Sequence, residues 1–394
     1  MQTQSKLNAL FGDRIQWLAL LIVACLVSIL MLRSQSAASY PSYILLLVSI
    51  LTFRTWKDVF SVTLVKWVVL LLSWLSLSVL WSENFSADEA ISLWIRTALV
   101  FSFVIAVAEC QLRGQLQTWM GVAMTAVGSL AVIAALANFW LTNPADGRLN
   151  GLGQLDTHVI AALVYGVILV FVCHFSSTWG GWRRICALGV AGIAAIAIFY
   201  SDSRNAWVSV SLALGAYYVS GKSEDWRQFI TSLASIGVVM VVILLLILAN
   251  EGSREALLPR GTSIRPEIWL ATIERFDSLS SFFFGHGILT PDSVSARGLT
   301  FDHPHNMYLA VFFQGGMVAV AMFLTTICLT FRELLRNFST PDARLALSIL
   351  VLGLSAYLLD GHELIDKIGD TWLLFWLPVG LAVGLALRPR LEAD

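Results

Sequence analysis

The chain is built from apolar runs that are long enough to cross a bilayer and that few charges interrupt. A helix of roughly 18 to 20 apolar residues spans about 30 Å of hydrocarbon, whereas a barrel strand needs only about ten alternating residues. Apolar residues make up 57% of the 394 positions and charged residues only 13%, too little polar surface for a soluble protein of this size. We therefore predict an all-α integral membrane protein that lies among membrane lipids.

The apolar runs predict about twelve transmembrane helices, joined into a single membrane domain. Their predicted ranges are 15–32, 40–54, 61–81, 91–109, 118–142, 157–175, 183–200, 206–220, 229–249, 305–331, 343–359 and 371–388. Nine helices thus occupy residues 1–249, a large loop occupies 250–304, and the last three helices occupy 305–394. No A-x-A-like cleavage site follows the first apolar run, so we expect that helix to be retained.

Lysine and arginine in the short loops predict the orientation of the bundle, because cytoplasmic loops carry the excess of positive charge. One side carries Lys6, Arg14, Arg54, Lys57, Arg113, Arg183, Arg184, Lys222, Arg227, Arg332, Arg336, Arg344, Arg388 and Arg390. The other side carries Arg33, Arg148, Arg204 and Lys367. This bias predicts cytoplasmic termini and an extracytoplasmic large loop. The net charge of −1 gives no basic surface for nucleic acid.

The large loop at 250–304 is the segment most indicative of function. Loops of this length are usually functional when they carry no fold of their own. Pro266 predicts the start of a short helix, because proline is favoured in the first helical turn. Glycine, serine and proline punctuate much of what remains of the loop.

Three residues on the predicted outer side could carry chemistry: Arg204 in the turn before the eighth helix, Arg265 in the large loop, and His305 at the entry to the tenth helix. A guanidinium group offers a planar fork of donors that matches phosphate oxygens. A histidine can serve as a general base near neutral pH. Together they would suit transfer of a sugar from a lipid diphosphate to a hydroxyl, with the arginines holding the leaving diphosphate.

Each of these residues also has a structural interpretation. Arg204 could anchor a helix end to lipid phosphates, and Arg265 could form a surface ion pair with Glu267. His305 could cap or pack at the helix start. His303 and His305 have a metal-binding spacing, but no further ligand cluster is evident, so we expect no metal.

Four short motifs resemble the O-antigen ligase family, which forms a superfamily with O-antigen polymerases and some protein oligosaccharyltransferases. They are Arg265-x3-Trp269, Gly285-His286-Gly287, His305-Asn306-x2-Leu309 and Gly315-Gly316. In place of the last motif the family often has Gly-x-x-Gly, whereas this chain has Ala319 where the second glycine would stand. That departure concerns helix packing rather than the proposed chemistry.

The resemblance implies an O-antigen ligase of the inner membrane, with its active site on the periplasmic face. Such an enzyme joins glycan from undecaprenyl diphosphate to lipid A-core by metal-independent, inverting transfer, without a cofactor. His305 matches the essential histidine, and Arg265 and Arg204 match the arginines that bind the diphosphate. Further expected contacts with the acceptor or the loop come from Asn306, Trp269, His303 and His362. Asp360 and Glu363 are further candidates, and Arg96 could contact the donor or form an ion pair.

The sequence is also compatible with other functions. A polymerase would share the donor chemistry and differ in its acceptor. An oligosaccharyltransferase usually carries a soluble C-terminal domain, whereas this sequence stops just after the last predicted helix. A transporter or flippase would favour internal repeats and a midplane site, and the sequence indicates neither. A membrane scaffold would leave the arginines and the histidine unexplained.

Overall fold

The computed structural model describes residues 2–52, 56–114, 116–223, 225, 227–232, 235 and 264–391. These residues form a helical bundle around one large apolar core. Most of the predicted ninth helix, and residues 250–263 of the large loop, lie outside the described residues.

The helix bounds lie within a few residues of the predicted ranges, except at the start of the first helix and at three short helices that were not predicted. Before the large loop they are α1 (Gln2–Met31), α2 (Gln35–Ala38), α3 (Tyr40–Thr52), α4 (Trp56–Ser61), α5 (Thr63–Leu77), α6 (Ala87–Leu112), α7 (Leu116–Thr142), α8 (His158–Thr178), α9 (Gly181–Tyr200) and α10 (Arg204–Lys222). Within and after the loop they are α11 (Arg265–Ile273), α12 (Leu279–Phe284), α13 (Met307–Arg336), α14 (Pro341–Ala356) and α15 (Leu377–Leu391). The first helix begins well before the predicted residue 15, since the polar tail contains no proline to end it.

Six helical stretches among the described residues are long and apolar enough to cross a membrane. They are Thr63–Trp81, Ala87–Leu112, Trp119–Thr142, His158–Thr178, Gly181–Tyr200 and Met307–Arg336. Two shorter apolar helical stretches pack against this set. They are Ile15–Met31 of α1 and Trp372–Arg388, in which the π-helical turn Trp372–Trp376 leads into α15. The multi-pass membrane class is thus confirmed, while the count of about twelve spans stays a prediction.

Segments predicted to be extracytoplasmic meet at one end of the bundle, here called the loop end. These segments are 82–86, 143–157, 201–203, 264–306 and 357–371. Hydrogen bonds at this end join Glu83 N to Thr290 Oγ1 (2.9 Å), Leu149 N to Tyr200 O (2.9 Å), Asn205 Nδ2 to Ala356 O (3.2 Å) and Met307 N to Tyr357 O (3.0 Å). The alternation of helices in the sequence therefore brings the candidate residues to the same end.

A kink at Gly316 divides α13. The φ of this residue is 68°, outside the helical region, and a Cβ here would collide with the carbonyl of Phe283. At a kink, the carbonyl groups of the preceding turn lose the backbone N–H donors that a regular helix would supply. Replacement hydrogen bonds run from His286 N to Phe313 O (2.7 Å), from Gly287 N to Gln314 O (3.0 Å) and from Trp74 Nε1 to Gly315 O (2.8 Å). The Gly285-x-Gly287 turn and the Gly315-Gly316 pair thus form one contact.

The described part of the large loop has a small core of its own. Strands β1 (Val294–Ala296) and β2 (Leu299–Phe301) form an antiparallel hairpin that the sequence analysis did not predict. Its two turn residues, Arg297 and Gly298, both have positive φ, as a tight hairpin turn requires. Ile268 of α11 packs against this hairpin, which joins the predicted short helix to the segment that leads to His305.

Candidate functional site

His305 lies in the connection that enters α13, one residue before the helix cap. Its φ of 49° is in the left-handed region that non-glycine residues rarely adopt, so the surrounding contacts must hold it there. Asn306 caps α13 by accepting a hydrogen bond from Leu309 N (3.0 Å), and its Nδ2 donates to Leu358 O (3.1 Å). The His-Asn pair is therefore tied to the chain that follows α14.

The imidazole of His305 is paired with a carboxylate. His305 Nδ1 lies 3.2 Å from Asp360 Oδ1, which also accepts a hydrogen bond from Gly361 N (2.9 Å). Burial raises the pKa of Asp360, but these two hydrogen bonds and the charges of His305 and Arg265 lower it overall. An ionised Asp360 can fix the ring orientation of His305 and stabilise its protonated form.

Two further imidazoles adjoin His305. The ring of His303 lies 4.0 Å from that of His305, centroid to centroid, and stacks on His362 at 4.3 Å. Burial lowers the pKa of His303 to about 4, aided by the charges of His362 and His305. His303 is therefore neutral near pH 7, and its Nδ1 accepts a hydrogen bond from His305 N (3.2 Å).

Arg265 is the first residue of α11 and belongs to the same cluster. Its charge acts on both Asp360 and His303, which places the guanidinium within electrostatic range of both. Trp269 lies one turn later and donates from Nε1 to Pro304 O (3.1 Å). The Arg-x3-Trp spacing thus lets one helix carry the cation and hold the segment that ends in His305. The carboxylate of Glu267 binds Arg297.

Arg204 is less directly connected to the cluster. Arg204 is the first residue of α10, directly after the N-cap residue Ser203, and its side chain is exposed. Asn205 donates to Ala356 O, and Ala356 lines the cavity beside Asp360, so α10 starts close to the site. Among the described residues, however, no hydrogen bond or ion pair joins Arg204 to His305 or Asp360.

A cavity of about 100 Å³ adjoins the cluster, and acidic residues line much of it. Burial raises the pKa of Glu363 to about 8, and the charge of Asp366 adds to this shift. Burial also raises the pKa of Asp370 to about 6. Arg96 was a candidate for a contact with the donor or for an ion pair, and its Nη1 lies 3.9 Å from Asp366 Oδ1. Protonated Glu363 can therefore donate a hydrogen bond near neutral pH.

The cluster also has the composition of a metal site. His303, His305 and Asp360 each offer one ligand atom, and these three atoms lie within 4.8 Å of one another. Two imidazoles and a carboxylate suit a divalent transition metal. Only the histidine pair was recognisable from the sequence, because the third group comes from a loop 55 residues away.

Several contacts of this site were not predicted from the sequence. Asp360 was a candidate sugar contact, and its pairing with His305 could not be seen. Gln314 donates from Nε2 to His362 O (2.9 Å), and the only signal for it was an amide within an apolar helix. Arg148 donates to His158 Nε2 (3.0 Å) at the start of α8, the helix whose next turns line the cavity.

Comparison with known proteins agrees with the motif resemblance. The O-antigen ligase family model matches residues 189–324, a range that includes Arg204, Arg265 and His305. A curated protein named O-antigen ligase, from Pseudomonas aeruginosa, is 28% identical over 328 residues, which cover 82% of this chain and 77% of that protein. The resemblance to this family is thus confirmed, and with it the enzyme class, a transferase of lipid-linked glycans.

Proposed function

We propose that this chain, an enzyme of the O-antigen ligase family, joins an undecaprenyl-diphosphate-linked O-antigen glycan to a sugar hydroxyl of lipid A-core. The reaction takes place on the periplasmic face of the inner membrane, with both termini in the cytoplasm. The observation that carries the proposal is the 3.2 Å contact between His305 Nδ1 and Asp360 Oδ1, because it turns a histidine at a helix entry into an oriented base.

His305 removes the proton from the attacking hydroxyl. Since Asp360 engages Nδ1, the other ring nitrogen, Nε2, takes the proton of the acceptor sugar. The acceptor oxygen then bonds to the anomeric carbon of the donor as the bond from that carbon to the diphosphate oxygen breaks. Attack from the face opposite the leaving group inverts the configuration. Asp360 stabilises the imidazolium, which afterwards returns its proton to the diphosphate or to water.

The leaving group carries the diphosphate charge, and Arg265 binds it. A guanidinium stays protonated at all relevant pH values and can hold two phosphate oxygens at once. The charge of Arg265 acts on Asp360, which supports this role, because it puts the cation within electrostatic range of the carboxylate that pairs with the base. Arg204 supplies a second guanidinium when the donor bridges from the start of α10 to the cluster.

The acceptor sugar enters the acidic cavity beside His303 and His362. Protonated Glu363 can donate to a sugar oxygen there, and the ionised carboxylate of Asp360 remains with His305. Two guanidinium groups can neutralise the departing diphosphate, so the proposed reaction requires no metal.

The test is transfer in vitro with purified protein, lipid-linked glycan and lipid A-core, in the presence of a chelator. We expect unchanged product formation with the chelator. Loss of activity that added metal restores would contradict metal independence and favour a metal bound at His303, His305 and Asp360. Elongated lipid-linked glycan in place of glycosylated lipid A-core would identify a polymerase.

A further inference from the structure

A second cavity at the loop end, of about 950 Å³, is lined by residues that the proposed reaction does not use. Its walls come from the end of α5 with the turn that follows, and from the loop segment between α11 and the Gly285-x-Gly287 turn. Glu83 N donates to Thr290 Oγ1, and this hydrogen bond holds the two walls together. The cavity is thus formed by two segments that are distant in sequence.

The first turns of α13 separate this cavity from the His305 cluster. On the cluster side, Gln314 donates to His362 O (2.9 Å). On the cavity side, the ring of Phe313 stacks on His286 at 4.6 Å, and the Arg275 guanidinium lies 4.3 Å from the same ring. These residues of α13 lie about 9 to 11 Å along the helix from Met307, where α13 begins, and His305 lies two residues before Met307. A ligand in the cavity would therefore lie a short oligosaccharide length from the reacting sugar.

Two fixed indole rings form the aromatic part of the cavity. Trp74 donates from Nε1 to Gly315 O (2.8 Å), and Trp81 donates from Nε1 to Phe284 O (3.2 Å). Because both rings are already held in place, ligand binding does not have to restrict their rotation. The ring centroids lie 5.5 Å apart, and Trp81 is 39% exposed. The face of a sugar ring that carries only C–H groups packs well on such a surface.

The polar part of the cavity selects against anions and hydrocarbon. Glu83, Glu274 and Asp277 bring three carboxylates to the lining. Arg275 is the one arginine or lysine among the described lining residues, and it is engaged elsewhere, because it donates to Pro291 O (2.8 Å) and lies over the Phe313 ring. The carboxylates accept hydrogen bonds from sugar hydroxyls, and the serine hydroxyls both donate and accept them. The carboxylates repel phosphate, and both kinds of group are costly to cover with an acyl or prenyl chain.

We propose that this cavity binds an oligosaccharide segment made of uncharged or amino sugars, several sugar residues away from the one that reacts at His305. The inference rests on the transferase function proposed above and deepens it by assigning a glycan subsite. The segment belongs either to the donor glycan or to the outer sugars of the acceptor, which share this chemistry.

The test uses purified full-length protein and measures KM for donor and acceptor separately. We expect Trp81→Ala to raise KM for one of the two by about tenfold while kcat changes by less than about twofold, and the affected substrate identifies the source. Glu83→Gln gives the same test without touching the aromatic packing. Trp140→Ala is the matched control, since Trp140 is an exposed indole on α7 outside the cavity. Unchanged KM values in both cavity variants would overturn the subsite.

Equilibrium dialysis separates this inference from the proposed function. The probes are lipid-free O-antigen and outer-core oligosaccharides, released from their lipids. We expect His305→Ala to bind one of them as the wild type does and to transfer nothing, while Trp81→Ala binds it about tenfold more weakly. Retained transfer by His305→Ala would contradict the proposed function alone. Equal binding by wild type, Trp81→Ala and Glu83→Gln would contradict the subsite alone.

Discussion

A residue cluster at one end of the bundle and a cavity at the other contain the same three residue types and connect them differently. At the loop end, His305 pairs with Asp360, and the charge of Arg265 acts on that carboxylate. At the opposite end, a cavity of about 910 Å³ is lined by residues that include His174, Asp342 and Arg183. From Ile160, beside the His305 site, α8 runs about 21 Å to His174.

The three residues at the opposite end do not pair with one another. His174 Nδ1 lies 3.3 Å from the Tyr217 hydroxyl, and Asp342 Oδ2 accepts a hydrogen bond from Gln111 Nε2 (2.5 Å). The Arg183 guanidinium lies 5.9 Å from the centroid of the neighbouring Trp182 ring. The cavity at the opposite end thus holds the same groups without an oriented base. The contacts between these groups, and not their presence alone, determine whether a base is oriented. Each variant of the loop-end cluster therefore has a matched control at the opposite end.

Replacing His305 or His174 should give the largest difference in transfer rate between the two ends of the bundle. We expect His305→Ala to reduce the rate of transfer to lipid A-core by about 10³-fold, because a general base contributes that order of magnitude. His174→Ala should stay within about threefold of wild type, since its ring contacts Tyr217 and Phe175, which have no part in the proposed reaction. The rate is measured with purified protein at saturating substrates. Equal losses in both variants would contradict the assignment of the base.

The two aspartates provide the next comparison. Asp360→Asn keeps the size of the side chain and removes the charge that orients and stabilises the His305 ring, so we expect kcat to fall by about 10²-fold. Asp342→Asn should change kcat by less than about threefold, because Asp342 bonds a glutamine instead of a base. A wild-type kcat in Asp360→Asn would show that the hydrogen bond to Asp360 does not assist the base.

Local sequence signals predicted much of the fold. Long apolar runs gave the helices, and Pro266 marked the start of α11, because the length of a run and the first helical turn are local properties. The kink at Gly316 could not be predicted, since it depends on donors from Trp74 and the 285–287 turn. The β1–β2 hairpin was also missed, because its strands have only three residues each.

The site was predictable as a set of residue types and not as a set of contacts. Motif spacing singled out Arg265, Trp269 and His305, which the structure brings together at the loop end. The pairing of His305 with Asp360 joins residues 55 positions apart, and only tertiary packing can create it. Arg204 was predicted with less certainty than Arg265, and among the described residues no hydrogen bond or ion pair joins its exposed side chain to His305 or Asp360.

The arginines should differ in how they affect substrate binding. Arg265→Lys keeps the charge and removes the planar fork, so we expect KM for the lipid-linked donor to rise by about tenfold. Arg183→Lys at the opposite cavity should leave this KM unchanged. The measurement is a donor titration at saturating acceptor. A donor KM that does not respond to Arg265→Lys would remove this residue from the diphosphate site and leave Arg204 as the candidate.

The smallest expected effect concerns the pH dependence of stability at the loop end. Burial and Asp366 raise the pKa of Glu363 from 4.5 to about 8. Between these values the folded protein binds a proton that the unfolded chain has released, so the free energy of unfolding decreases as pH rises. The stabilisation is complete below pH 4.5 and is lost above about pH 8. Wild-type Tm in detergent should therefore fall by a few degrees across this window.

Glu363→Gln tests the origin of that slope. The amide cannot ionise, so Tm of this variant should be flatter between about pH 5 and pH 9, and at the upper end it should exceed the wild-type value. Asp342→Asn, at the opposite end, leaves Glu363 in place and should keep the wild-type slope. If Glu363→Gln retains that slope, the protonation energy resides in another group of the acidic cavity, and Asp370, whose pKa is raised to about 6, is the next residue to replace.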